Sequence, residues 1–86
     1  MRIKVKEEGG AIHPNEVVIS IPTRDGPEKL VVHRRSLHDS ALEIGYPISE
    51  EGPHYLVELP RETMRGLWRV WVAKSDLMDS RERRIA

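Results

Sequence analysis

Apolar residues recur in this chain mostly at every second position, and this alternation limits the possible folds more than any other feature. Side chains of a β-strand alternate between two faces, so the pattern fits strands that bury one face. An α-helix would instead place its apolar residues three or four positions apart. The sequence therefore predicts a mainly β protein.

Six segments follow this pattern, and turn-forming residues separate them. The six are residues 2–6, 16–21, 30–37, 41–48, 54–59 and 67–74. The dipeptide Asp25-Gly26 is a typical hairpin signal between the second and third segments. Because short connections favour pairing between neighbours, we predict an antiparallel meander of about six short strands that forms a small barrel or sandwich.

The chain of 86 residues predicts one domain, since chains divide into separately cored units only well above this length. After Ser75 the alternation ends, and acidic residues precede arginines in an order that suits the dipole of a short helix. An undocked tail fits the same stretch. We predict a single β domain over residues 1–75 and a tail or short helix over residues 76–86. We detect no internal repeat.

Composition excludes several classes of protein. With 14 basic and 14 acidic residues the net charge is zero, so no overall field attracts nucleic acid or an anionic membrane. The absence of cysteine excludes disulfides, thiolate metal sites and a cysteine nucleophile. No apolar run approaches the roughly 20 residues of a membrane span, and no signal peptide is recognisable. We expect a cytoplasmic, bacterial protein without membrane contact.

Charge is nevertheless segregated along the chain. Residues 36–60 contain acidic side chains but no lysine or arginine, whereas basic residues dominate on both sides. If the meander is correct, this segregation predicts a dipolar surface suited to self-association or to a charged protein partner. The alternative is a set of ordinary solvated faces with weak ion pairs.

Both tryptophans lie in the stretch Trp-Arg-Val-Trp-Val, residues 68–72. In a strand, Trp68, Val70 and Val72 share one face, which predicts a core row. Arg69 and Trp71 then share the opposite face, where they face a partner or a covering layer. The C-terminal tail is the alternative cover for Trp71.

The densest group of reactive side chains lies in residues 33–39, which contain His33, Ser36, His38 and Asp39. On a strand His33 and His38 point to opposite faces, so they do not ligate one ion together. A serine nucleophile needs a base and an orienting acid from across the fold, and sequence neighbours rarely supply them. We predict no catalytic residues, no metal site and no cofactor.

These observations favour a non-catalytic interaction module that binds protein, either itself as a homodimer or another subunit of a complex. An exposed tryptophan beside arginine is typical of protein-protein hot spots. The predicted contact residues share this Trp/Arg character, and they are Trp71, Arg69, Arg34, Arg35, Arg61 and Arg65.

Two alternatives remain open. The same face could belong to a small barrel that binds single-stranded nucleic acid, because arginine contacts phosphate and tryptophan stacks on bases. The second alternative is an enzyme of unknown class, with His33, His38 and Asp39 as its candidate residues.

Overall fold

The computed structural model describes residues 1–78. These residues form ten short strands, which we number along the chain, and two 3₁₀ turns at Arg34–Ser36 and Lys74–Asp76. The strands are β1 Arg2–Lys4, β2 Lys6–Gly10, β3 Glu16–Ile21, β4 Glu28–His33, β5 Leu37–His38, β6 Ala41–Glu43, β7 Ser49–Glu51, β8 His54–Glu58, β9 Arg69–Ala73 and β10 Leu77–Met78. The predicted mainly β class is confirmed.

Three small antiparallel sheets contain these strands. The first-half sheet has the order β2-β3-β4, and the second-half sheet has the order β7-β8-β9. A four-stranded central sheet has the order β10-β1-β6-β5. The predicted Asp25-Gly26 turn does connect an antiparallel pair, β3 and β4, and β8 pairs with the tryptophan strand β9 as the meander requires.

The chain consists of two similar halves, each with five strands in the same order. Residues 1–40 hold β1–β5, and the second half begins at residue 41 and holds β6–β10. Residues 17–22, Val-Val-Ile-Ser-Ile-Pro, correspond to residues 55–60, Tyr-Leu-Val-Glu-Leu-Pro. Residues 32–40 correspond in the same way to residues 72–80. Our statement that the sequence has no internal repeat is therefore wrong.

Backbone geometry repeats along with the sequence. His33 and Ala73 precede the two 3₁₀ turns with φ, ψ of −70°, 139° and −69°, 136°. The N–H of Arg34 donates to the carbonyl of Asn15 at 2.8 Å, and the N–H of Lys74 donates to that of Pro53 at 2.9 Å. The repeat escapes a simple comparison because the segment between the two matched stretches, residues 61–71, is two residues longer than its counterpart, residues 23–31, which shifts the offset from 38 to 40 residues.

The central sheet interleaves the two halves. β1 pairs with β6 and β10, both from the second half, while β5 pairs only with β6. Ile3 is opposite Leu42 and Leu77, and Leu42 is also opposite Leu37, so one apolar row crosses all four strands. Ile3 and Leu42 are fully buried. Every ladder of this sheet therefore joins one half to the other.

The core packs against this row from both three-stranded sheets. Its other buried apolar residues lie in the strands or directly after them, and they include Val17, Ile19, Ile21, Leu30, Val32, Ile44, Val57, Leu59, Val70 and Val72. Burial of Val70 and Val72 agrees with the predicted alternation. The predicted burial of Trp68 is wrong. β9 begins at Arg69, so Trp68 lies before the strand, and 54% of its surface is exposed.

Two further sequence expectations differ from the structure. The predicted strand 41–48 stops at Glu43, so Tyr46 and Ile48 lie in an irregular connection and are exposed. The predicted turn at Ser49-Glu50-Glu51 is instead β7. In the stretch assigned to a tail or helix, Leu77–Met78 forms β10 against β1, and residues 79–86 lie outside the described part of the chain.

Because the Ile3–Leu42 pair lies at the centre of the interleaved sheet, Leu42→Ala should destabilise the protein by about 2–5 kcal/mol, as for other fully buried leucines. Ile12→Ala is the control, since Ile12 is fully exposed and its loss should change stability by less than about 0.5 kcal/mol. Urea unfolding followed by circular dichroism measures both. Equal midpoints for the two variants would contradict the central role of this pair.

Candidate binding site

The two three-stranded sheets have equivalent outer surfaces. On the second-half sheet, a stacked arginine covers this surface. The guanidinium of Arg24 lies 4.9 Å from the centre of the Trp71 ring. Its Nη1 also donates to Glu51 Oε1 at 2.8 Å, and the Arg24 N–H donates to the Trp71 carbonyl at 2.9 Å. A cation held over an indole face is attracted by the ring quadrupole. Trp71 is consequently half-buried beneath Arg24.

The equivalent surface of the first-half sheet is open. Met64 occupies the position equivalent to Arg24, because each follows the threonine of a Thr-x-x-Gly turn. Each also donates its backbone N–H to an edge strand of the other half, Arg24 to β9 and Met64 to β4. Between Met64 and β4 lies a groove of about 470 Å³, which we call the Trp68 groove. Its lining residues are Leu30, Val31, Arg61, Glu62, Thr63, Met64 and Trp68.

The exposed apolar side chains beside this groove are unusually large for a small protein. Met64 is 62% exposed and Trp68 is 54% exposed, and Leu67, which precedes Trp68 in the same connection, is also exposed. Isolated surface hydrophobes are common, but a group that borders a concavity marks an interaction surface. The concavity, the indole and the flexible methionine together can accept an apolar side chain from a partner.

Two more concavities adjoin the Trp68 groove through shared residues. Arg61 also lines a pocket of about 250 Å³ with His33, Arg35, Ser36 and Pro60. Pro60 in turn borders a pocket of about 310 Å³ that contains the exposed Tyr46 and Ile48. The exposed aromatic and apolar residues of the second half thus gather around the segment 60–61.

Most of the predicted contact arginines already have carboxylate partners. Arg61 lies 3.0 Å from Glu16, and Arg69 lies 3.4 Å from Glu58. Arg34 is 3.9 Å from Glu7 and donates through Nε to the carbonyl of Pro14.

Arg65 and Arg35 differ from the other predicted arginines. Arg65 Nε lies 3.1 Å from Oε2 of Glu28, whose side chain is only 4% exposed. Arg35 has no carboxylate partner within residues 1–78, and its side chain lines the pocket that it shares with Arg61. Of the six predicted contacts, the structure therefore brings Arg35 and Arg61 together and leaves Trp71, Arg69, Arg34 and Arg65 elsewhere.

Sequence reasoning missed Trp68 and Met64 as surface residues. The alternation predicts a strand over residues 67–74 that begins two residues before the observed β9, because a strand pattern carries no mark of its first residue. One available signal was Gly66, because a Thr-x-x-Gly turn close to Trp68 predicts irregular backbone there. Gly66 has φ of +89°, like its counterpart Gly26 at +108°.

The histidines show a local structural role at one position. His33 Nδ1 accepts a hydrogen bond from the Arg35 N–H at 3.3 Å and so caps the first 3₁₀ turn. Within residues 1–78, no three side chains from histidine, aspartate and glutamate are grouped to hold a metal ion. The absence of catalytic and metal sites stays a prediction.

Comparison of the chain with models of protein families, with curated proteins and with solved structures finds no match. In residues 1–78, no helix has the length and apolar character needed to cross a membrane.

Arg65→Ala should destabilise the fold by about 1–3 kcal/mol, because it leaves the buried carboxylate of Glu28 without its cation. Arg69→Ala is the matched control, since its partner Glu58 is exposed and such pairs contribute at most about 1 kcal/mol. Thermal and urea unfolding of both variants measures the difference. Adding Glu28→Gln to Arg65→Ala should recover part of the loss, and no recovery would contradict the assigned cause.

Proposed function

We propose that this protein is a non-catalytic interaction module that binds a protein segment in the Trp68 groove. The observation that supports it best is the pair of exposed apolar side chains, Met64 and Trp68, that line a concavity. Tryptophan with arginine beside it is enriched at energetic hot spots of protein interfaces. Trp68 supplies the indole, and Arg61 and Arg35 supply the cations at one end.

An extended segment fits this groove best. Leu30 and Val31, which line the floor, belong to β4, an edge strand of the first-half sheet. A partner strand beside such an edge adds main-chain hydrogen bonds, while pockets select its side chains. We infer a partner segment with one large apolar side chain for the Trp68 groove and an acidic residue near Arg35.

The ion pairs that the arginines form within the protein favour a protein partner over nucleic acid. Binding to a phosphate backbone depends on basic side chains that are available to neutralise it. Arg34, Arg61, Arg65 and Arg69 each lie within 4 Å of a carboxylate. Phosphates would have to displace those partners. For the same reason we rank Arg34, Arg65 and Arg69 below Trp68 as predicted contacts. We rank Trp71 below Trp68 because Arg24 covers its ring.

Trp68→Ala should abolish binding of extended peptides while leaving the fold intact, because Trp68 is largely exposed. Peptides selected on phage for binding to the wild-type protein supply the ligands. Their affinity is measured on Trp71→Phe, in which Trp68 is the only indole, so its fluorescence reports the groove directly.

The matched control for this experiment is Ile12→Ala, which removes an exposed apolar side chain away from the groove lining. Circular dichroism should show the same fold for all variants. Peptides that bind Trp68→Ala as tightly as wild type, or that leave the Trp68 emission unchanged, would refute the groove as the binding site.

Single-strand nucleic-acid binding is the second candidate, and one observation supports it. Trp68 lies on the same groove as Arg61, and Arg35 and His33 line the adjoining pocket, so stacking and phosphate contacts are combined. A labelled single-stranded oligonucleotide at low salt tests this alternative. Affinity that falls steeply as salt rises and is lost in Trp68→Ala would replace the protein partner with nucleic acid.

The finer predictions of architecture and location belong with this proposal. The molecule is flat, with extents of 36 × 32 × 16 Å, and this outline supports a two-layered sandwich over a closed barrel. The cytoplasmic location, the bacterial origin and the absence of enzymatic activity stay predictions.

A further inference from the structure

Each half of this chain depends on the other for its central strands. Every ladder of the central sheet joins β1 or β5 of the first half to β6 or β10 of the second. Within residues 1–78, four ion pairs also connect the halves, namely Arg2–Glu43, Arg24–Glu51, Arg61–Glu16 and Arg65–Glu28. The two halves of one chain are thus related to each other as the two subunits of a strand-exchanged homodimer would be.

One tight turn is the covalent link between the halves. His38 in β5 pairs with Ala41 in β6, so Asp39 and Ser40 alone form the hairpin loop. Asp39 has φ of 53° and Ser40 has φ of 64°. A two-residue hairpin loop with this left-handed backbone at both positions is a type I′ turn, which strongly prefers glycine at its second position, because a β-carbon is strained there. Neither position is glycine.

We propose that a second copy of this chain is a binding partner and that the two copies exchange halves at the Asp39–Ser40 hinge. With the hinge extended, residues 1–38 of one copy pair with residues 41–78 of the other, and the reverse pairing completes the dimer. All contacts between halves are remade between chains. Only the hinge changes, and opening it relieves both left-handed residues, which offsets part of the entropy lost on association.

Exchange would also change the Trp68 groove. Its floor, Leu30 and Val31, comes from the first half, whereas Met64 and Trp68 come from the second. In the exchanged dimer each groove is therefore built from two chains, and one assembly carries two grooves. The bivalent binding that follows rests on the proposed function of the groove, but the exchange itself does not.

Complementary single cysteines test the exchange directly, because the chain has no cysteine of its own. Arg2 in β1 is opposite Glu43 in β6, and antiparallel partners lie within the Cα separation that a disulfide spans. The variants Arg2→Cys and Glu43→Cys are unfolded in urea, mixed, refolded together at high concentration and oxidised. A covalent heterodimer of twice the 9.9 kDa chain mass on a non-reducing gel is expected.

The control mixture pairs Arg2→Cys with Glu58→Cys, which lies in β8 and is not a partner of β1. Its heterodimer band should be at least tenfold weaker than that of the paired positions. Equal bands in the two mixtures, or no band in either, would overturn the exchange.

Hinge variants provide an independent measurement on the full chain. Ser40→Gly removes strain from the closed turn and should lower the dimer fraction severalfold in light scattering after refolding. Ser40→Pro fixes φ near −65° and cannot adopt the closed turn, so it should form dimer predominantly. A monomeric, folded Ser40→Pro or an unchanged dimer fraction in Ser40→Gly would refute the hinge. If Ser40→Pro does not fold, Ser40→Gly and the cysteine mixture decide.

Discussion

The pairing of β1 with β6 is the constraint on which the rest of the structure depends. Ile3 and Leu42 meet at the middle of this pair, and each is also opposite a leucine of the outer strand beside it. Isolated two- or three-residue strands are too short to be stable, so only a shared apolar row makes the central sheet possible. Both three-stranded sheets then pack against that row, which gives a chain of this length a single continuous core.

The two equivalent surfaces of the repeated halves differ, because one is closed and the other is open. In two equivalent surfaces, the same position holds Arg24 over Trp71 in one case and Met64 beside Val31 in the other. The Arg24 side is further held by Glu51, whereas the longer connection on the other side leaves Trp68 exposed. The second-half sheet is thus covered by Arg24 of the first half, whereas the equivalent surface of the first-half sheet is an open groove.

The sequence predicted those features that a two-residue period or a turn dipeptide encodes. The alternation placed Val70 and Val72 in the core, and Asp25-Gly26 located the hairpin of β3 and β4. Strands of two or three residues, such as β5 and β10, are too short to show a period. β10 forms only against β1 at the other end of the described chain, and β5 forms only against β6, which β1 in turn holds in place. The open groove has the same origin, since it forms only where the connection after β8 meets β4 of the other half.

The charges that are segregated along the chain form ion pairs between the two halves in the folded structure. The acidic segment supplies Glu43 and Glu51 to arginines of the first half, Arg2 and Arg24. In the opposite direction, Arg61 and Arg65 reach Glu16 and Glu28. Complementary charges between two halves favour their correct register and disfavour pairing of a half with another copy of itself. The segregated charge therefore specifies which half binds which, whether the two belong to one chain or to two.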